Sequence, residues 1–143
     1  MRTKVRTAAR RTLRQGAAAV ECLVCLPIII AISFATIDLC TAMFVKESLT
    51  IAAYEGARVG IQRNGTDASV TAKIQEVLEG RGIAYATDSI SFSTPGFSDA
   101  ATLQHVTVTV SVPCSGNLVI SGGLFTGRDL EASVTMRKEF SNL

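Results

Sequence analysis

The chain has 143 residues, which is enough for one domain with an accessory segment. Its hydrophobic content of 48% and mean hydropathy of +0.34 are high for a water-soluble domain. Residues 1–16 carry six cations and no acid, whereas the whole chain has a net charge of +2, so the remainder carries −4. A basic head beside an apolar segment argues against a uniformly soluble chain. A nucleic-acid-binding arm is the competing interpretation of this head. However, the chain has no Trp, six Phe and two Tyr, so it lacks an aromatic platform for nucleic acid.

The apolar segment covers Cys22–Val45, which is 24 residues with Asp38 as its only charge. The hydrocarbon core of a bilayer needs about 20 apolar residues. We therefore predict a membrane span over residues 22–45. The cations before it predict a cytoplasmic N-terminus and an exported C-terminal part. Asp38 is expected either near the outer headgroups or as a buried acid with a partner.

Four cysteines are present, and three of them lie inside the apolar segment, with Cys40 towards its outer end. Cys22 and Cys25 have C-x-x-C spacing but no His or further Cys at ligand spacing, so we interpret them as small apolar residues of a membrane helix. Cys114 lies in the part predicted to be exported, where disulfides persist. Its only candidate intrachain partner outside the bilayer core is Cys40, so a Cys40–Cys114 disulfide is a pairing to test.

The helical pattern extends well beyond the membrane segment. We predict residues 1–16 to be a disordered basic leader and residues 17–62 to be one long helix. Pro27 is the only interruption, and the turn signal Asn64-Gly65 follows its end. Small residues that would let another backbone approach closely form a stripe near its end. These residues are Ala53, Gly56, Val59 and Gly60.

The remainder, residues 63–143, predicts a small exported α+β domain. A short amphipathic helix is expected over about 68–80, capped by Thr66 or Asp67. Alternating residues predict strands at about 89–93, 103–112 and 129–140. Each of the last two has one apolar and one polar face, which indicates an antiparallel sheet of about three strands covered on one side. An apolar, glycine-rich loop is expected over 114–127.

The sequence shows no constellation of catalytic residues. His105 is the only histidine, and we place it on the polar, solvated face of a strand. There is no G-x-S-x-G string, no phosphate-binding loop and no acid pair spaced on one predicted face. We therefore expect a protein that is not an enzyme and that holds no cofactor and no metal.

More specific strings surround the membrane segment. A basic leader ends at Gly16, and Glu21 is the only acid before the apolar helix. These features resemble a type IV prepilin signal. Within that group the chain most resembles the TadE-like minor pseudopilins of the tight-adherence (Tad, or Flp) pilus system, over about residues 10–62. The matching strings are GAAAVE (16–21), Leu26-Pro27, Asp38-Leu39 and AAYEGARVG (52–60).

The resemblance implies how the chain is processed and assembled. A prepilin peptidase would cut between Gly16 and Ala17 and remove the leader. Glu21 would then be the fifth residue of the mature chain and would set the register of packed helices, since a buried carboxylate needs a cation such as a neighbouring subunit's amine. The implied partners are the peptidase, other pilins or pseudopilins, inner-membrane assembly proteins and lipid. The implied location is the inner membrane, with the pilus as a further destination.

Three interpretations remain open from the sequence, and the processed pseudopilin is the first. Gly16 and Glu21 also fit a plain signal-anchor with a tolerated acid near the inner interface. The chain would then be an unprocessed, single-pass binding module of the cell envelope. The third alternative is a secreted domain behind a cleavable signal peptide, but the apolar run is longer than the usual core of such a peptide.

Overall fold

The computed structural model describes the backbone of residues 3–119, 125 and 127–140, and the side chains of these residues from Ala19 onward. The chain divides into two compact units, Met1–Ile37 and Asp38–Leu143. We call the second one the head unit. Its elements are two helices and a three-stranded sheet, so the predicted α+β class is confirmed.

Helix α1 spans Thr3–Gly60, and Pro27 lies inside it. Residues 3–16, which we predicted to be disordered, are helical. Ala, Arg, Lys, Leu and Gln dominate this stretch and all favour helix. At the other end α1 stops two residues before the predicted Gln62, and the chain turns through Asn64, whose φ is 61°.

Helix α2 spans Asp67–Gly80 and confirms the predicted short helix. Thr66 is its N-cap: the Thr66 side chain accepts from the Ser69 N–H, and the Ser69 hydroxyl accepts from the Thr66 N–H. This capping box satisfies two backbone donors at the helix start. The buried face of α2 consists of Val70, Ile74 and Leu78.

The sheet contains β1 (Ile90–Phe92), β2 (His105–Pro113) and β3 (Asp129–Arg137) in the order β1-β2-β3, with both pairs antiparallel. In the register, Val108 lies opposite both Phe92 and Val134. The observed strands are shorter than the predicted 89–93 and 129–140, and β2 starts two residues later than predicted because Leu103 has a φ of 69°.

The core of the head unit lies between the sheet and the two helices. β2 supplies four fully buried valines at alternate positions, as its sequence pattern predicted. Buried residues of α1 and α2 cover that face. The other face of β2 carries half-buried Thr and Ser side chains. The predicted loop 114–127 lies partly outside the described residues.

Candidate functional site

The first unit presents an apolar surface on all sides of α1. Ten large hydrophobic side chains between Val20 and Ile37 are 45–74% exposed, and three of them, Ile28 to Ile30, are consecutive. A helix that is hydrophobic all round needs an apolar environment. Within the described part of the chain, one helix, Ala19–Gly60, is long and apolar enough to cross a membrane, with a mean hydropathy of 2.4 in its most apolar window. The N-terminal helix therefore indicates membrane anchoring.

The polar side chains of this apolar stretch are satisfied within the helix itself. The Ser33 hydroxyl donates to the Ile29 carbonyl at 2.8 Å, and the Thr36 hydroxyl donates to the Ile32 carbonyl at 2.8 Å. Such bonds to the preceding turn remove the cost of carrying a hydroxyl into lipid. Neither residue therefore conflicts with an anchor.

The surroundings of α1 change at Asp38. Its side chain is 2% exposed, and Ala42 and Val45, which follow on the same face of α1, are buried too. The sequence left open whether Asp38 lies at the interface or is buried; the structure buries it in the head unit. A hydropathy pattern cannot separate these cases, because a protein interior and a lipid interior are both apolar.

The small residues at the end of α1 pack against the rest of the head unit. A Cβ atom added to Gly56 would lie 2.5 Å from Ile74 Cγ1, and one added to Gly60 would lie 2.6 Å from Phe97 Cδ1. Real Cβ atoms do not approach other atoms so closely, so a side chain at either position would force its neighbours to shift. The predicted stripe of small residues therefore packs against other elements of the same chain.

The charged residues of the same string lie on the outside of α1. Arg58 Nη1 is 3.9 Å from Glu55 Oε2 one turn earlier, and the Arg58 side chain is exposed. A pair of this kind contributes little to stability. In the string AAYEGARVG the small residues therefore make the packing contacts, and the charged residues keep the outer face of α1 soluble.

A buried lysine connects the end of the sheet to the α1–α2 turn. Lys138 is fully buried, and its Nζ donates to the carbonyls of Gly65, at 2.9 Å, and of Phe97. The Asp67 carboxylate accepts from the Phe97 N–H at 2.6 Å. Burial lowers the pKa of Lys138, and the nearby Asp67 charge partly opposes that shift.

A known protein family matches part of α1. The model of the TadE-like protein family matches residues 16–58. Over this segment, 43 of the 143 residues, the chain is similar to TadE-like proteins. Searches among the curated proteins and among the solved structures found no significant match. The family links the chain to the tight-adherence pilus system and to structural rather than enzymatic proteins.

We call residues 16–58 the TadE-like segment; it lies entirely in α1 and enters both units. Its first residue is Gly16, the residue predicted to precede the cleavage site. Gly16 and Ala17 lie in the helical backbone, and nothing beyond the backbone is described for either residue. Glu21 is exposed and forms no salt bridge with any described residue.

The thiols of the chain are all free. Cys22, Cys25 and Cys40 are exposed, whereas Cys114 is buried, and burial raises the pKa of its thiol. The Cys40–Cys114 disulfide, which the sequence analysis gave as a pairing to test, is not formed in the structure. No group of His, Cys, Asp and Glu in the described ranges could hold a metal ion. His105 lies exposed at the start of β2, as predicted.

Sequence reasoning missed two features of the head unit. The first is the burial of Lys138. The alternation of β3 puts residue 138 on the apolar side, so a signal was available, but the two carbonyls that it binds come from distant turns. The second is the covered face of α1 from Asp38 to Val45, which has no distinct sequence signal.

Proposed function

We propose that the chain is a non-enzymatic, pseudopilin-type structural subunit for assembly of a Tad pilus. The observation that carries this proposal is the family match. It starts at Gly16 and ends at Arg58, inside the string AAYEGARVG (52–60) of α1. The described surface supports a structural role, since it combines an exposed apolar helix with a compact head unit. Association of apolar helices is the mechanism.

The exposure of the side chains of α1 supports a different position for the anchor than hydropathy does. The span predicted from hydropathy, residues 22–45, includes one helix face that the head unit covers. We propose that the hydrocarbon core instead contains residues 17–37. At 1.5 Å per residue these 21 residues cover about 31 Å, which matches a core of about 30 Å. The six cations then lie on the cytoplasmic side and the head unit is exported.

Processing is tested by the mature N-terminus. Mass spectrometry of the protein purified from its own membrane should give Ala17 as the first residue. Gly16→Leu should leave the chain uncut, whereas the neighbouring change Gln15→Leu should not. A mature chain that keeps its leader would instead support the unprocessed binding module, and a terminus near residues 36–42 would support a secreted domain.

Glu21 has a separate role in assembly under this proposal. After cleavage its carboxylate lies inside the span, where an unpaired charge is costly. The new N-terminal amine of a neighbouring subunit can neutralise it and so set the register between helices. Glu21→Ala should leave the protein in the membrane but reduce the number of pili counted by electron microscopy.

Glu47→Ala is the matched control for Glu21, since it removes an exposed acid of α1 outside the proposed span. It should leave piliation unchanged. Normal piliation in the Glu21 variant would refute the register role. The direct partners in this proposal are the prepilin peptidase, other pilins or pseudopilins and inner-membrane assembly proteins.

A further inference from the structure

The sheet of the head unit ends in a long edge strand. β3 has nine residues and pairs with β2 alone, so among the described residues no strand lies on its other side. An open edge of this length presents a row of backbone N–H and C=O groups, which is a template for pairing with a further strand. β3 contains no proline, so its own backbone does not prevent such pairing.

The hydrogen bonds of the sheet identify the backbone groups on this open side. The Cys114 N–H donates to the Arg128 carbonyl at 2.9 Å. At the other end the Lys138 N–H donates to the Gln104 carbonyl at 2.8 Å. The even-numbered residues of β3 therefore bond to β2, and because backbone groups alternate along an antiparallel strand, the odd-numbered ones face away from it. These residues are Asp129, Glu131, Ser133, Thr135 and Arg137.

One cation covers part of this row. The Lys46 Nζ donates to the Glu131 carbonyl, and no other hydrogen bond between described residues reaches an outward backbone group of β3. A lysine beside an edge strand is a common protection against unwanted pairing. Lys46 is exposed, so it can leave this carbonyl without disturbing the core, and the N–H of an added strand can replace it.

A groove beside the edge provides room for an added strand. Lys46 and Thr50 of α1 line a cavity of about 460 Å³ together with residues 131–133 of β3. A second cavity, of about 680 Å³, shares Lys46 and Thr50 with the first and extends to Leu130. Both cavities lie between α1 and β3, so the groove follows the open edge.

Apolar side chains flank this groove. Leu39 is 51% exposed, Met43 66% and Phe44 50%, and all three line the larger cavity. On β3 the core-facing Leu130 and Val134 are half-buried, whereas the four valines of β2 are fully buried. The core of the head unit is thus less covered on the side of β3. A strand beside β3 would direct every second side chain towards these residues.

We propose that the open edge of β3 is a docking site for an extended strand of a partner protein, which joins the sheet as a fourth strand. An open backbone row selects a strand, because acyl chains have no groups that bond to it and a helix has already paired its own backbone groups. Asp129 and Glu131 favour a cation opposite them, and Arg137 favours an acid at the other end. The side chains of the docked strand that face α1 are apolar.

The strands of a second copy do not have this chemistry. The apolar side chains of β1, β2 and β3 all lie in their own core or pack against it, so they cannot face α1 of another chain. The partner strand is therefore an extended segment that is not already part of a sheet. This proposal concerns the head unit alone, so it does not depend on the anchor or the processing proposed above.

A synthetic peptide tests the site in the full chain. Its sequence is Glu-Val-Thr-Val-Thr-Val-Lys-Val-Lys, with fluorescein at the N-terminus. In antiparallel pairing its Glu lies opposite Arg137, its two Lys lie opposite Glu131 and Asp129, and its valines face α1. Fluorescence anisotropy measures binding to the protein in maltoside micelles, and we expect saturable binding. An absence of binding would refute the docking site.

A modified peptide separates strand pairing from simple apolar contact. N-methylation of both Thr and of the first Lys removes three N–H donors that face β3 and leaves every side chain in place. This peptide should not bind. If it binds as well as the original peptide, the apolar flank alone holds it and strand addition is wrong. Peptide binding that weakens as the chain concentration rises would place a second copy on the edge and would also overturn the proposal.

A change at the centre of the edge tests the same contact from the protein side. Ser133→Pro removes an outward N–H without touching a bond to β2, and Ser133→Ala is its matched control, since it keeps that N–H. The first should weaken peptide binding about tenfold and the second less than about twofold. Equal losses in the two variants would contradict strand pairing. Should Ser133→Pro fail to fold by circular dichroism, the two peptides still decide on the original chain.

Discussion

The two halves of α1 differ in what surrounds them, although they form one helix. Residues 19–37 expose large side chains on every face. Residues 38–60 bury one face against the rest of the head unit, and most of the buried side chains on it are small: Ala42, Ala52, Ala53 and Ala57 lie there beside Val45 and Leu49. Large branched side chains suit contact with lipid, and small ones let other elements approach the helix axis. The first half of α1 is therefore suited to an apolar environment and the second half to packing within the head unit.

This difference implies that the two halves fail separately. A change that disturbs packing should unfold the head unit and leave the anchor in the membrane. A change that adds charge to the first half should release the anchor and leave the head unit folded.

Removing the buried lysine should have the largest effect on the head unit. Lys138→Met takes the charged donor away from the carbonyls of Gly65 and Phe97 and the cation away from Asp67. Losing such bonds inside a protein costs about 3 kcal/mol. Chemical denaturation of the full chain in detergent, followed by far-UV circular dichroism, measures the loss.

Lys73→Met is the matched control for this change, since Lys73 pairs with Glu76 at 3.0 Å on the surface of α2. A surface pair of this kind contributes less than about 1 kcal/mol. The control should therefore unfold close to the original chain. Equal losses in the two variants would contradict the role assigned to Lys138.

A charge in the first half of α1 should act on the membrane alone. Ile29→Arg puts a guanidinium into the middle of the proposed span, which costs about 3 kcal/mol of insertion free energy. Tyr54→Arg makes a comparable change at an exposed position of the second half. Alkaline extraction of membranes should release the first variant and retain the second. Retention of both would show that residues 19–37 do not form the anchor.

The elements that follow a local pattern could be predicted from the sequence. The four valines of β2, the face of α2 and the length of the apolar helix all come from periodicity or composition. The change from an exposed to a partly covered helix at Asp38 could not be predicted from the sequence. Lipid and protein interiors both favour apolar residues, so the covered face has the same composition in either environment. Hydropathy alone therefore does not separate residues 38–45, one face of which the head unit covers, from the exposed residues before them.

The candidate site was predictable only in part, for the same reason. Gly56 and Gly60 were visible as small residues, but their partners Ile74 and Phe97 depend on tertiary packing. The sequence suggested that the stripe would receive another backbone, whereas side chains of the same chain fill it. Phe125 and Leu130 lie beside α1 for the same reason, since no local pattern encodes that placement.

A methyl group at the end of α1 should have an intermediate effect. In Gly60→Ala the added Cβ would meet the ring of Phe97 and also Val70, at 2.7 Å, both of which are fully buried. Overpacking of this kind costs about 1–3 kcal/mol. Gly80→Ala, at the end of α2, adds the same group where nothing lies within 4 Å, so it should be neutral or slightly stabilising. Denaturation curves compare the two.

The smallest effect is the dependence of the head unit on pH. Burial lowers the pKa of Lys138 below its usual 10.5, so between the two values the unfolded chain binds more protons than the folded chain. The free energy of unfolding therefore gains from Lys138 as pH rises through this window. The pKa values of Tyr85 and Cys114 are raised, so these two groups lower the free energy of unfolding as pH rises.

Comparison with Lys138→Met isolates the lysine, since Tyr85 and Cys114 contribute alike to both chains. The stability deficit of the variant should widen as pH rises from neutral towards 10.5. The pH dependence belongs to the head unit, so membrane retention of either chain should not change over the same range. A deficit that stays constant or narrows would mean that Lys138 does not carry a burial penalty in its charged form.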